Sequence, residues 1–319
     1  MTPTSAAPGG PTVRILLPYP TSQLGGLPEL PAALWDGWGE APPERVLGEV
    51  EFFVIPYTYT SAALPLLRRM PRLRVVQSLS AGVEEILPVL PPGVTLCNAR
   101  GVHDASTAEL AVTLVLSALR GVPVFVRAQD AQVWSPGSFA SLADRTVLII
   151  GYGSIGAAVE DRLAPFECEV LRVARTARAA FRGPVHSLAE LPALLPRSDV
   201  VVLTLPLTDE TRGLVDAGFL ASMKDGALLV NVARGPVVDT DALLVELQRG
   251  RLAAALDVTD PEPLPAGHPL WQAPNTLISP HTGGNSSAFL PRALRLIRTQ
   301  LDRFLAGEPL ENVVVPPGA

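Results

Sequence analysis

Val147-Leu148-Ile149-Ile150-Gly151-Tyr152-Gly153-Ser154-Ile155-Gly156-Ala157-Ala158-Val159 is the stretch that decides how this chain folds. Four consecutive apolar residues suit a strand buried on both faces. They run straight into a Gly-x-Gly-x-x-Gly turn, and residues 157–163 continue with helical character. Each glycine has a task at this spacing. Gly151 permits the sharp turn, Gly153 lets the backbone approach a pyrophosphate, and Gly156 lets helix and strand pack closely. The start of the helix offers N–H groups and a positive dipole end to the phosphates. Glycines gather in many tight turns. The strand before and the helix after are what make this one a dinucleotide-binding loop, with Gly151, Gly153, Ser154, Ile155 and Gly156 as its contacts.

Outward from the loop, apolar runs alternate with helical stretches, the pattern of a parallel sheet covered by helices. Strands are expected at Val147–Ile150, Val170–Val173, Val200–Leu203, Leu228–Asn231, Ala254–Leu256 and Thr276–Ile278, six in succession and enough for a complete dinucleotide-binding sheet. Upstream, strands are expected at Val13–Leu17, Phe52–Ile55, Val75–Ser78 and Val94–Leu96, separated by Pro-rich segments that include Pro28, Pro31, Pro42 and Pro43. A long helix is expected from Ala105 to about Ala128, with Asp104 and Thr107 as caps. A last helix is expected from Ser286 to Leu305, stopping at Gly307 before a short segment at Asn312–Val315. A chain of 319 residues implies two domains. Residues 102–284 are expected to form the nucleotide domain, inserted into a second domain made of residues 1–101 and 285–319. The fold class is α/β, two doubly wound parallel-sheet domains, Rossmann-like in the first case and flavodoxin-like in the second.

Composition narrows the function. Apolar residues make up 48% and charged residues 18%, a globular balance. A net charge of -6 argues against a nucleic-acid or anionic-membrane surface. No apolar stretch is long and uninterrupted enough to span a bilayer. Residues 1–11 read as a flexible tail without the basic start and apolar run of a signal peptide. The two cysteines, Cys97 and Cys168, form no CxxC and no metal-ligand spacing, which fits a reducing cytoplasm and no metal site. Lys224 is the only lysine, so Schiff-base chemistry would rest on a single amine in a turn.

Cofactor choice is read at the end of the second strand of the sheet. An acid about 20 residues past the glycine loop binds a free ribose 2′-hydroxyl. Here that place falls in Arg175-Thr176-Ala177-Arg178, which has no acid. Guanidiniums bind a 2′-phosphate where a carboxylate would repel it, so NADP is favoured and NAD remains possible.

Three further segments begin at C-terminal strand ends, the edge where open α/β sheets bind ligands. They are Asn231-Val232-Ala233-Arg234-Gly235, Leu256-Asp257-Val258-Thr259-Asp260-Pro261-Glu262 and Ser279-Pro280-His281-Thr282-Gly283-Gly284. Reducing a 2-oxo acid requires a cation for its carboxylate and ketone oxygen, and a proton donor for that oxygen. Arg234 supplies the first and His281 the second, while Glu262 on the other imidazole nitrogen favours the imidazolium. Singly, each of these residues reads as an ordinary surface or loop side chain; the combination after a dinucleotide loop is what points to catalysis.

With these motifs the sequence resembles the D-isomer-specific 2-hydroxyacid dehydrogenase family, of the glyoxylate/hydroxypyruvate reductase or phosphoglycerate dehydrogenase type. The likeness covers nearly the whole chain. It includes Ser80-Ala81-Gly82-Val83, Ala108-Glu109 and Leu205-Pro206-Leu207-Thr208 with Thr211. The resemblance implies that Arg234, Glu262 and His281 are the catalytic set. It implies that Leu205, Pro206, Thr211, Val232, Ala233, Asp257 and Gly283 join the cofactor contacts, with Asp257 at the nicotinamide end. It also implies that the turn Ser80–Gly82 clasps the substrate carboxylate through the N–H groups of Ala81 and Gly82. The family often carries Asp where Arg175 stands, which is the main departure. A homodimer is expected, with Trp134 in the region of its contact, and Tyr57 and Tyr59 are candidates to face substrate. The expected activity is hydride transfer between NAD(P)H and a small 2-oxo acid or D-2-hydroxy acid. Two other readings are a dehydrogenase of 3-phosphoglycerate type and a non-enzymatic, nucleotide-sensing corepressor-like binder.

Overall fold

The computed structural model describes residues 14–25, 31–58 and 60–318. The expected tail at 1–11, Val13, Pro28 and Tyr59 lie outside the described residues. Among the described residues the first five strands are short: β1 (Ile15–Leu17), β2 (Ala32–Leu34), β3 (Phe52–Val54), β4 (Val75–Gln77) and β5 (Thr95–Cys97). Eight follow: β6 (Thr146–Ile150), β7 (Glu169–Ala174), β8 (Arg178–Ala180), β9 (Gly183–Ser187), β10 (Val200–Leu203), β11 (Leu228–Asn231), β12 (Ala253–Leu256) and β13 (Thr276–Ile278). β14 (Val313–Val315) closes the chain. The longer helices are α1 (Asp104–Leu119), α2 (Val122–Asp130), α3 (Ser154–Leu163), α4 (Thr240–Gln248) and α5 (Phe289–Ala306).

The molecule divides into two compact units. One comprises Met1–Val102 with Ser287–Ala319, and the other is His103–Ser286. In the first unit the sheet order is β14-β5-β4-β3-β1-β2, parallel except for β14. Its five parallel strands have the flavodoxin order. Leu16 and Phe53 face one core, while Ile15, Leu17, Phe52 and Val54 face another that includes Ala293, Ile297 and Leu301 of α5.

In the second unit the order is β13-β12-β11-β10-β6-β7-β9-β8, parallel but for β8. Successive residues of its central strands again enter opposite cores. Leu148 and Ile150 join Val201, Leu203 and Leu229 on one face; Val147 and Ile149 join Val200, Val202 and Val230 on the other. Burial on both faces explains why these strands read as unbroken apolar runs. Strand order reverses at β6, so β7 lies on one side of it and β10 on the other. The crevice between their C-terminal ends is where such sheets bind ligands.

The sheet has eight strands where six were expected. β9 (Gly-Pro-Val-His-Ser) and β8 (Arg-Ala-Ala) carry too little apolar content to register as strands; their pairing with β7 and with each other makes them so. β2 was hidden likewise in a Pro-rich segment. The single long helix is two helices, α1 and α2, meeting at 68°. Gly121 takes φ 67 between them and Pro123 sits in the first turn of α2, so the α1 ladder cannot continue. Asp104 and Thr107 do not cap α1. The cap position is His103, Asp104 is the first helical residue, and Thr107 is buried inside the helix. α5 starts at Phe289 rather than Ser286 and ends on Gly307 in the left-handed region. Among the described residues no single helix is long and apolar enough to cross a membrane.

Candidate active site

The glycine loop joins β6 to α3, and close approach decides its sequence. A Cβ on Gly151, whose φ is 107, would lie 2.4 Å from the backbone nitrogen of Leu205. One on Gly156 would lie 2.5 Å from the carbonyl oxygen of Gly151. A Cβ on Gly153, by contrast, would meet nothing within 4 Å, so the loop presents an open side there. No side chain caps α3, and its first N–H groups at Ser154, Ile155 and Gly156 have no intrahelical acceptor. This arrangement fits a dinucleotide pyrophosphate, which needs bare backbone and unpaired donors. The Ser154 hydroxyl itself donates to Asp104 (3.0 Å), and Thr204 secures the loop by donating to the Gly151 carbonyl (2.8 Å).

A groove of about 410 Å³ runs from this loop along the ends of β7 and β10, lined by Gly151, Gly153, Arg175, Thr176, Leu205 and Thr211 among others. Arg175 and Thr176 are exposed in the turn after β7. Arg175 makes no ion pair or hydrogen bond among the described residues, whereas Arg178 donates to the carbonyl of Tyr152 (2.6 Å). Leu205 is buried and Pro206 exposed. The Thr211 hydroxyl donates to the Pro206 carbonyl (2.7 Å) and accepts from the Thr208 N–H (2.8 Å), which fixes this turn.

The other three segments converge at the ends of β11, β12 and β13. Asn231 folds the first: its side chain accepts from the Ala233 N–H (3.0 Å) and donates to the Arg234 carbonyl (3.0 Å). Val232 and Ala233 are buried there; Arg234 is half-buried and donates to the Ala233 carbonyl (2.7 Å). Gly235 presses on the next segment so closely that a Cβ would lie 1.9 Å from the Thr259 carbonyl oxygen. The Thr240 hydroxyl adds a hydrogen bond to the Asp260 carbonyl (2.9 Å).

Asp257 ties the second segment to the third. Its Oδ1 accepts from the Ser279 hydroxyl (2.7 Å) and the Thr282 N–H (2.9 Å), and its Oδ2 from the Gly283 N–H (2.9 Å). Oδ2 therefore keeps capacity for one further donor. The Asp257 carbonyl accepts from the His281 N–H (2.7 Å), and His281 adopts a φ of 50. In that conformation the imidazole Nδ1 is hydrogen-bonded to Glu262, and Nε2 is left for another partner.

The charges in this pair support each other. The Glu262 hydrogen bond holds the His281 pKa above its ordinary value, against desolvation; the Glu262 charge adds to the rise, Arg234 opposes it and Asp257 assists. On Glu262, partial burial favours the neutral carboxyl. The hydrogen bond and charge of His281, the backbone of Thr259 and the charge of Arg234 outweigh that, so its pKa lies below the usual carboxylate range.

In the first unit, the Ser80–Gly82 turn follows β4. Its shape comes from Ser78 accepting from the Ser80 N–H (3.0 Å) and from Asn98 donating to the Ala81 carbonyl (2.9 Å). The N–H groups of Ala81 and Gly82 meet no acceptor among the described residues. Tyr57 stacks on Phe289, with ring centroids 4.4 Å apart. No cluster of three or more metal-ligating side chains occurs among the described residues.

Sequence reasoning missed the residues that hold these loops: Asn231, Thr204, Thr259, Ser279, and the buried Glu160 with its half-buried partner Arg172 behind the glycine loop. Asn231 and Ser279 lay inside the quoted motifs. Their side-chain bonds to loop groups are what ending a strand in a tight turn demands, and that was the signal available.

A doubly wound sheet with a glycine loop at its switch point defines a dinucleotide-binding domain. The family model for the D-isomer specific 2-hydroxyacid dehydrogenase NAD binding domain matches residues 112–283. A glyoxylate reductase of Thermofilum pendens is 34% identical over 249 residues, 75% of this chain and 74% of that protein. A D-isomer specific 2-hydroxyacid dehydrogenase family protein from Aeromonas salmonicida superposes with a TM-score of 0.85 at 31% identity, covering 96% of this chain and 99% of that one. A D-isomer specific 2-hydroxyacid dehydrogenase from Xanthobacter autotrophicus, solved with NADPH and MES, gives 0.78 at 32% identity, covering 96% and 99%. The chain belongs to the D-isomer specific 2-hydroxyacid dehydrogenase family, whose members are NAD(P)-dependent dehydrogenases.

The electrostatics of the His281–Glu262 pair can be measured apart from any activity. In Glu262→Gln the imidazolium loses its partner's charge, so His281 should titrate at lower pH than in the unaltered protein. Following the His281 ring protons by NMR across pH tests this. An unchanged midpoint would mean that Glu262 does not hold the proton on His281.

Proposed function

We propose that this protein reduces a small 2-oxo acid to the D-2-hydroxy acid, and runs the reverse reaction, with His281 as acid–base, Glu262 as its partner and Arg234 as the substrate cation. The observation that carries this reading is the His281–Glu262 hydrogen bond beside Arg234, at strand ends of the same sheet that carries the glycine loop. When bound, the nicotinamide supplies the hydride in reduction and accepts it in oxidation. Gly151, Gly153, Ser154, Ile155 and Gly156 would hold its pyrophosphate. Leu205, Pro206, Thr211, Val232, Ala233, Asp257 and Gly283 would hold the rest of the cofactor.

In reduction, protonated His281 donates from Nε2 to the carbonyl oxygen, and Nδ1–H stays on Glu262 throughout. The guanidinium of Arg234 binds the substrate carboxylate and polarises the ketone, with charge-assisted bonds that strengthen as the oxygen gains charge. In oxidation, neutral His281 takes the hydroxyl proton at the same nitrogen. The turn Ser80–Ala81–Gly82 is proposed as a further anion contact, supported by two N–H groups, of Ala81 and Gly82, that meet no acceptor among the described residues. Glyoxylate and hydroxypyruvate are the first substrates to try, since the relatives include glyoxylate reductases.

His281→Ala should reduce turnover of the best 2-oxo acid by about a hundredfold or more while cofactor binding persists. In the unaltered enzyme, reduction needs the imidazolium, so its rate should fall as pH rises through the His281 pKa, and should fall at lower pH in Glu262→Gln. Undiminished turnover in His281→Ala would remove this histidine from the mechanism. Absence of turnover in the unaltered protein across 2-oxo acids and both cofactors would favour a binding role instead.

The preferred cofactor is proposed to be NADPH, with NADH accepted. Arg175 supports this: it stands exposed at the groove with no ion pair or hydrogen bond among the described residues, beside Thr176, in a turn with no acid. Arg175→Asp should reverse the preference by replacing attraction with repulsion at the 2′ position. The ratio of kcat/KM for NADPH and NADH, in both proteins, measures it. A ratio left untouched would mean that Arg175 does not read the phosphate.

A homodimer is proposed through α2 and the segment after it. Val124, Phe125, Val126 and Val133 are exposed there, and Trp134 is 95% exposed. Together they make an apolar surface of the kind that marks an interface. Sedimentation should give a dimer for the unaltered chain and a weakened one for Trp134→Ser. A monomer at micromolar concentration would refute the assignment.

A further inference from the structure

The glycine loop rests on a buried polar cluster that the proposed chemistry does not use. Glu160 lies two turns into α3, and Arg172 lies on β7. Their side chains are only 5% and 11% exposed. Arg172 grips Glu160 through two nitrogens, with Nε at 2.8 Å and Nη2 on the other oxygen. The phenol of Tyr152, the residue between the first two loop glycines, donates to the same carboxylate. The Arg172 guanidinium also stands 5.9 Å from the centroid of the Tyr152 ring.

Tyr152 is thus held at every polar group it has. Its N–H donates to the Val173 carbonyl (3.0 Å), its own carbonyl accepts from Arg178 (2.6 Å), and its hydroxyl is on Glu160. Neighbouring contacts between α3 and the sheet are apolar, through Val159, Leu163 and Ile149. More apolar packing would hold the helix at least as well as a buried ion pair. What directional bonds add is a fixed distance between loop, helix and β7, the three elements around the bare backbone at Gly153. Glu160 and Arg172 do not line the groove, so a ligand there does not touch them.

We propose that Tyr152, Glu160 and Arg172 form a positioning triad that presets the glycine loop for the cofactor pyrophosphate. It sets the affinity for NADH and NADPH alike and takes no part in choosing between them. This inference rests on nicotinamide cofactor binding at the glycine loop. The physical reason is preorganisation. Loop N–H groups already aimed at the phosphates spare the ordering cost of binding, and both cofactors share that pyrophosphate.

The test uses the full chain, unaltered and as Tyr152→Phe and Glu160→Gln. Tyr152→Phe keeps the ring and the Arg172–Glu160 pair and removes only the hydroxyl. Kd for NADH and for NADPH is read from nicotinamide fluorescence, with KM and kcat for the best 2-oxo acid alongside. Both Kd values should rise by roughly five- to tenfold in Tyr152→Phe, less than the full loss of one charge-assisted hydrogen bond because that bond acts on the loop and not on the cofactor directly. The NADPH-to-NADH ratio and kcat at saturation should stay within about twofold. Glu160→Gln should act in the same direction; if it fails to fold, Tyr152→Phe carries the test alone. A lowered melting temperature with Kd unchanged for both cofactors would make the triad merely structural and overturn the inference. A change in the ratio, as expected for Arg175→Asp, would overturn it too. If the unaltered protein binds neither cofactor, the nucleotide reading itself fails, an outcome separate from a failure of the triad.

Discussion

A buried carboxylate must collect donors, and Asp257 meets that demand in a way on which the candidate site depends. It is only 3% exposed at the end of β12. A charge so placed is tolerable only when hydrogen-bonded from several sides. The donors come from the loop after β13: the Ser279 hydroxyl and the N–H groups of Thr282 and Gly283. Wrapping that loop around one side chain leaves His281 in the left-handed region, with its N–H on the Asp257 carbonyl and its ring on Glu262. The acid that the family resemblance assigns to the nicotinamide end is therefore also the scaffold of the histidine loop. Its second oxygen, with one donor, has capacity for both tasks.

The Arg234 segment depends on the same core at one remove. Gly235 meets the Thr259 carbonyl too closely for any side chain, so the two segments share a backbone contact. Asn231 then turns the chain so that Arg234 leaves the strand end. Guanidinium, imidazole and carboxylate come from three strands that are neighbours in the sheet, β11, β12 and β13. Parallel strands in register bring such residues to one edge, which is how a sheet gathers a site from distant parts of a sequence.

The glycine loop shows a related division between the surface that meets a ligand and the groups that hold that surface. Its exposed side is bare backbone. Thr204 and Arg178 hold it from the groove side by donating to loop carbonyls, and behind it Glu160 and Arg172 hold it through the Tyr152 hydroxyl. Polar groups can be buried here because each meets a charged or backbone partner. The tyrosine's own pKa is pushed up, first by burial and then by its bond to Glu160, so the phenol stays a donor.

Strands buried on both faces were legible as apolar runs, and the strand–GlyxGlyxxGly–helix succession marked β6 and α3, because both signals are local. Arg234, Glu262 and His281 were legible as polar side chains just past strand ends, and the structure brings Glu262 and His281 together there; the chemical roles proposed for them rest on that grouping. What the sequence did not disclose depends on partners far along the chain. β9 is a strand because β7 offers it an edge, and β8 because β9 does, although neither carries an apolar run of its own. The α1–α2 break needed the left-handed Gly121 and the proline together to override a helical pattern. Asp104 reads as a cap and instead receives the hydroxyl of Ser154, fifty residues on. The pairing of Glu160 with Arg172, and the collection of donors by Asp257, follow from burial. Only the tertiary structure shows which charges leave water and must therefore find each other.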